Sequence, residues 1–483
     1  MPSIRMTRGA NPSSLTRSCW LATITLFACA SPQLKSEAVD VRERDSRVAW
    51  LRQNATTIRT ADVDSGDFAD LAPLGHAIGN ARLVLLGEPS HGDGTVVRLR
   101  TRIIAYLHQV HGFDVVASES GFFDADLAWQ WMRSGERSTS TIASGVHGAW
   151  SATAEFQPLA EYIKRSAESP RPLELAGYDS QLSGRLSQQQ LIPQLRRQLA
   201  NSSIDTLSIS GWSEFIARLD SLMIRPASWN PVPNQQFTLS LNALMAQFDR
   251  DGATEREQFW IQLLRSISAY ARQSEMATPR GDYTAASSIR DEQMADNLLW
   301  LMNTRYRGRR VVAWGASLHT AREVTTIDPG EPNSGFDRFI SMGGHLSRSL
   351  GHGLYSIGFV ASDGKAGTLQ RSTQALPPIT PGSLEDVFRE SGFDLAFLDL
   401  AGVHVNGTWV QTRVVAGPFG YAPMRAIWPS VFDGMIYIHT MQPVHEVSAP
   451  TKVDKCRSQV ATLWSDCKSS SAADSAVVSR AIR

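Results

Sequence analysis

The sequence is short of cysteine. Of its four residues, Cys19 and Cys29 precede position 30, and Cys456 and Cys467 lie near the other end. Neither of the latter stands near a His or a strand-end turn, so a thiol nucleophile is not expected. An excess of charge is also missing: 47 Lys and Arg balance 47 Asp and Glu. With no basic run and no long-range field, nucleic acid is not an expected partner, and neither is an anionic membrane. There is no Gly-x-Ser-x-Gly elbow, no Gly-x-x-x-x-Gly-Lys loop, and no Gly-x-Gly-x-x-Gly after the first strand-like run. These absences count against a standard serine hydrolase and against nucleotide-dependent chemistry. What remains is acid–base hydrolysis without a metal or cofactor, with water as the nucleophile.

The chain has 483 residues, 42% of them hydrophobic, with 13 Trp and 18 Phe. That is enough to bury a core of two or three domains' worth. The start reads as a leader, residues 1–30. Arg5, Arg8 and Arg17 precede an apolar stretch from Trp20 to Ala28 and a small-residue end. Such a stretch is too short to span a bilayer, which takes about 20 residues, but it suits a secretory signal. Leu26-Phe27-Ala28-Cys29 resembles the lipobox of bacterial lipoproteins, which makes Cys29 a candidate lipid anchor at the periplasmic or outer-envelope side. In an exported chain Cys456 and Cys467 are candidates to pair, or else two exposed thiols. The expected organisation is a main domain over 40–450 and a partly disordered tail over 451–483.

Short runs rich in Val, Ile, Leu and Phe occupy 83–86, 113–117, 173–177, 310–314, 354–360, 395–400 and 434–438. Continuous apolar runs separated by helical patterns predict an α/β fold with a mostly parallel sheet flanked by helices. Between the first two runs, Val96, Val97, Ile103, Ile104, Leu107 and Val110 recur on one helical face, and Gly112 stops the helix. The two runs and this helix read as a βαβ unit. Residues 185–303 carry helical spacing instead, broken by a loop at Trp229–Asn234, and read as a helical insertion forming a lid or substrate wall.

Several of these runs end in chemistry-bearing residues. Glu88 and His91 share the turn after 83–86, Glu119 and Asp179 follow the next two runs, and His319 follows 310–314. Parallel strands present their carboxyl ends on one edge, where active groups gather. A His held by carboxylates is a general base with a fixed tautomer, and a second His can protonate or polarise. Each residue also has a plainer reading. Glu-x-x-His occurs in di-iron helices, though Pro89 and the flanking glycines indicate a turn and hence no metal site. Asp179 alone reads as a helix cap, Glu119 as the partner of Arg100 or Arg102, and His319 as a helix-start residue.

At these residues the sequence resembles the erythromycin esterase family, over about residues 75–445. The most specific element is Leu86-Gly87-Glu88-Pro89-Ser90-His91-Gly92, similar to the family's Gly-Glu-x-x-His-Gly turn. Leu99-Arg100, His111-Gly112-Phe113 leading to Glu119, and Gly177-Tyr178-Asp179 follow in order. Arg290-Asp291 with Met294-Ala295-Asp296-Asn297, then Met342-Gly343 with His345-Leu346, and Phe432-Asp433-Gly434 complete it. The resemblance implies hydrolysis of the lactone ester of macrolide antibiotics without metal or cofactor. It implies His91 as general base, Glu88 as its neighbour, Glu119 as a second acid, and His319 in the second His region. Arg100, Asp179 and His345 would support the site or the substrate.

The chain departs from the family at one place. The family's His-Asn-x-His is replaced by Ala316-Ser317-Leu318-His319, so only the second His remains. If the absent His polarises the carbonyl or protonates the leaving group, its loss costs about 10²–10⁴-fold. His345, His147 and His352 are candidate replacements. The expectation is therefore an exported hydrolase of a small-molecule ester or lactone. The rivals are an exported binding protein that has lost catalysis and a hydrolase of acylated cell-envelope carbohydrate.

Overall fold

The computed structural model describes residues 40–447 apart from 64–65, 207–208, 225–233, 278–280, 332–333 and 368–371. The leader with Cys29, the loop at 229–233, the pair Cys456 and Cys467, and the tail 451–483 lie outside the described residues. Residues through Val444 form one compact unit, and 445–483 form a second, of which only 445–447 are described.

All seven apolar runs form strands. In chain order the strands are β1 (Thr56–Thr57), β2 (Leu83–Leu86), β3 (Phe113–Gly121), β4 (Glu174–Asp179), β5 (Arg310–Trp314) and β6 (Leu354–Gly367). They continue with β7 (Thr373–Ala375), β8 (Leu395–Asp399), β9 (Val414–Ala416), β10 (Met424–Ala426) and β11 (Gly434–Met441). Nine of them build one sheet in the order β1-β8-β11-β6-β2-β5-β3-β4, with β7 beside β6. Pairing is parallel from β11 through β6, β2, β5 and β3 to β4, and antiparallel for β1, β8 and β7. The apolar runs are continuous because both faces of the sheet are covered. Leu83, Val84, Leu85 and Leu86 are all fully buried, each contributing roughly 1.5–3 kcal/mol of transfer free energy.

The sheet order separates the two strands expected to form a βαβ unit: β5 lies between β2 and β3. The register then aligns Leu86 with Trp314, and Trp314 with Ser118. Three segments far apart in sequence therefore end side by side. Between Ser118 and Gly121 the pairing of β3 with β4 shifts register, which re-aims the side chain there. Glu119 consequently sits inside β3 and Asp179 is the last residue of β4, where both were expected just beyond strand ends.

The helix Gly94–His111 follows the first turn and ends as expected at Gly112, whose φ of +68° is open to glycine. Residues 185–303 hold the helices Arg185–Asn201, Trp212–Ile224, Asn234–Phe248, Glu255–Met276 and Tyr283–Trp300. The last of these is pinned to the sheet by Asn297, whose Nδ2 donates to the Tyr178 carbonyl at 2.9 Å. That contact sets Arg290 and Asp291 over the strand ends. Among the described residues no helix is long and apolar enough to cross a membrane.

Candidate active site

The segment after β2 is a turn, not a helix, as Pro89 requires. Ser90 N–H donates to Asp93 Oδ2 at 2.9 Å, and Gly420 N–H donates to the Pro89 carbonyl at 3.0 Å. A side chain at Gly92 would collide with the Gly367 backbone, so only glycine allows this approach. The turn places Glu88 Oε1 2.5 Å from His91 Nδ1. Trp150 Nε1 donates to both Glu88 oxygens at 3.0 and 3.1 Å. Arg100 Nη1 stands 2.6 Å from Oε2 as an ion pair rather than an aligned hydrogen bond. A fully buried carboxylate is tolerable because it is paired in this way.

A second group lies across the neighbouring strand ends. Arg290 Nη2 donates to Glu119 Oε1 and to Asp179 Oδ2, both at 2.7 Å, and its Nε donates to Asp179 Oδ1 at 3.1 Å. Asp291 Oδ2 is 2.8 Å from His319 Nδ1, and Asp291 Oδ1 accepts from Met342 N–H at 2.7 Å. His319 Nε2 is 3.1 Å from Arg290 Nη1 and 3.4 Å from Glu119 Oε1. Glu119 Oε2 accepts from Ala316 N–H at 2.8 Å.

Opposing forces set the protonation of this group. Burial alone would raise the Glu119 acid, but His319, Arg290, His91 and the Ala316 N–H outweigh it and hold the carboxyl well below its usual range. Burial lowers His319, yet Asp291 and Glu119 outweigh it and leave the imidazole more basic than usual. Burial likewise disfavours the Arg290 cation, but Asp179 and Glu119 outweigh it and hold the guanidinium well above its ordinary basicity. The second group is thus a saturated network of ion pairs. In the first, no described residue is hydrogen-bonded to His91 Nε2.

The structure brings together Glu88, His91, Arg100, Glu119, Asp179 and His319. It leaves His345 aside: on the helix Met342–Leu350, half-buried, its charge acts on Asp296. Two of the plainer readings change. Asp179 caps no helix; it accepts from Gln181 N–H at 3.1 Å and holds Arg290. Glu119 pairs with Arg290, while Arg102 turns away to Asp70 at 2.6 Å. Arg290, Asp291 and Trp150 were not singled out as site residues. A signal existed only for the first two, in the Arg-Asp helix quoted above.

The sheet and its two carboxylate–imidazole pairs define an α/β protein whose ionisable groups gather at the carboxyl ends of parallel strands. The chain belongs to the erythromycin esterase family, whose model matches residues 108–441. A protein of Bacillus subtilis (strain 168), YbfO, which carries a hydrolase name, is 24% identical over 428 residues, 82% of this chain and 91% of its own. Erythromycin esterase type I of Escherichia coli is 29% identical over 178 residues, 34% of this chain and 40% of its own. Among solved structures, one described as a succinoglycan biosynthesis protein gives a TM-score of 0.68 at 18% identity, over 83% of this chain and 98% of its own. An erythromycin esterase mutant in its open conformation gives 0.59 at 17% identity, over 82% and 99%. These two share the fold.

Proposed function

We propose that the protein hydrolyses a small-molecule ester or lactone, a macrolide such as erythromycin being the first candidate, with water activated by His91. The observation that carries this reading is the 2.5 Å contact of His91 Nδ1 with buried Glu88, which leaves Nε2 to face a reactant. Nε2 takes a proton from water as the oxygen attacks the carbonyl carbon, and Glu88 stabilises the imidazolium. Collapse of the tetrahedral intermediate breaks the bond to the alkoxide, which receives that proton from Nε2. The products are an acid and an alcohol. The reading uses no metal: the carboxylates of Glu88, Glu119, Asp179 and Asp291 are turned to Arg, Trp, His or backbone N–H donors. In this reading residues 1–30 direct export and Cys29 is a candidate anchor, so the enzyme works in the cell envelope.

One departure favours a second reading, an exported binding protein. Ala316 offers only its backbone N–H where the family has an imidazole. Incubation of the purified protein with macrolides, simple acyl esters and an acetylated polysaccharide, followed by mass spectrometry, separates the two. Addition of one water by wild type and not by His91→Ala supports the hydrolase, and the substrate that gains water identifies its class. Equal turnover by His91→Ala removes His91 as the base. No water added to any substrate leaves the binding protein.

A further inference from the structure

His147 is a further imidazole beside the site, and its surroundings define its chemistry. It is half-buried, whereas Glu88, Glu119, Arg290 and His319 are buried. Its backbone N–H donates to Ser120 Oγ at 2.9 Å, which ties it to the residue after Glu119. The Trp150 indole, which donates to Glu88, stands edge-on to both imidazoles, with ring centroids 5.1 Å from His91 and 5.9 Å from His147. Electrostatic effects on the His147 ring come from His91, Asp179, Glu119 and Arg290, the groups of the site itself.

The tautomer is fixed locally. His147 Nδ1 accepts from Ala149 N–H at 3.2 Å, so that nitrogen carries no proton and the ring proton resides on Nε2. No described residue is hydrogen-bonded to Nε2. Burial keeps the ring less basic than an ordinary imidazole and so neutral at pH 7. A neutral imidazole with an unused N–H is a donor that does not compete with His91 for a proton.

We propose that His147 Nε2–H donates a hydrogen bond to the oxyanion formed when water adds to the substrate carbonyl, supplying the polarising contact that Ala316 cannot. This inference rests on the hydrolase reading above. No proton is transferred by His147; the bond forms as the carbonyl oxygen gains charge and relaxes when the leaving alkoxide departs. Arg290 and His319 do not offer this service as readily, because they are engaged with each other and with Asp179, Glu119 and Asp291.

The test compares His147→Ala and His147→Gln with wild type on whichever ester the wild type cleaves. Loss of one oxyanion donor costs about 10²–10³-fold in kcat, with KM changing far less. The Gln amide N–H should restore at least about tenfold of that loss, and adding Ala316→His to His147→Ala should restore activity as well. A kcat for His147→Ala within about threefold of wild type overturns the role. So does an equal loss in both single variants with both folded, which would indicate packing only. The tautomer is read independently of turnover from imidazole nitrogen chemical shifts at pH 7.5, assigned by difference with His147→Gln. An Nδ1–H ring or an imidazolium there overturns the proposal while leaving the hydrolase reading intact. A wild type that hydrolyses nothing overturns both.

Discussion

The Tyr421 hydroxyl donates to Asp93 Oδ2 at 2.6 Å across 328 positions of sequence. The same carboxylate accepts from Ser90 N–H, so one buried group holds the Glu88–His91 turn and a distant loop together. Tyr421 adopts a φ of +64° to make the contact, a left-handed conformation that costs a non-glycine residue about 1–2 kcal/mol. Burial raises the Asp93 acid well above its usual range, and the Tyr421 hydroxyl opposes that rise.

Tyr421→Phe keeps the ring and removes the hydroxyl. It should lower unfolding free energy by about 1–2 kcal/mol, measured by urea denaturation, and reduce kcat more than it changes KM, since it loosens the turn that aims His91. Unchanged stability would mean that the hydroxyl contributes nothing to holding the turn.

Arg290 is the only cation hydrogen-bonded to both Glu119 and Asp179 among the described residues. Arg290→Met removes the cation shared by two buried carboxylates, leaving Glu119 with His319 and the Ala316 N–H and Asp179 with the Gln181 N–H, and should cost about 3–5 kcal/mol. Adding Glu119→Gln should recover part of that cost, because one charge is then gone. Denaturation curves of the single and double variants check this; an additive loss would show that the two residues are not coupled. Arg290→Lys should not restore stability, since an ammonium cannot reproduce the fork that spans both acids.

Glu385 gives a pH prediction. Buried on the helix Leu384–Ser391, it accepts from Gly417 N–H at 2.6 Å, and burial pushes its acid up to about 7. A carboxyl raised above its unfolded value binds more protons in the folded state, so its contribution to stability falls as pH rises between about 4.5 and 7. Glu385→Gln mimics the protonated form and still accepts from Gly417. It should match wild type at pH 4.5 and exceed it by about 1–3 kcal/mol at pH 8. A variant less stable than wild type at pH 8 would show that the charged form is favoured after all.

Much of the sheet was legible because a strand buried on both faces must be apolar at every position, as Leu83–Leu86 and Val311–Val312–Ala313 are. Strand order was not, since nothing in those runs says that β5 enters between β2 and β3. The two- and three-residue strands β1, β7, β9 and β10 leave too short a trace for any period to register. At the site, Glu88 and His91 were readable because Pro89 and the glycines force a turn. Arg290 and Asp291 were harder to assign: charged residues in mid-helix ordinarily mark a solvent face, and only the packing of Tyr283–Trp300 on the sheet reverses that. Trp150 had no local signal, because one indole in a four-residue helix resembles any core aromatic. Arg100 and Arg102 stand two apart on one helix and so face different ways, which is why one reaches Glu88 and the other Asp70.

The turn bearing His91 is also bound to the segment that follows β11, two strands away in the sheet. Val444 N–H donates to the Gly92 carbonyl at 2.9 Å, and Thr95 N–H donates to the Gln442 carbonyl at 3.2 Å. During synthesis the ribosome, adding roughly 5–20 residues per second, therefore leaves His91 without these clasps for on the order of half a minute. A chain that ends before Gln442 carries the Glu88–His91 turn without either of these backbone bonds. On the proposed hydrolase reading, the Glu88–His91 turn therefore gains these two clasps only after nearly the whole compact unit has been made.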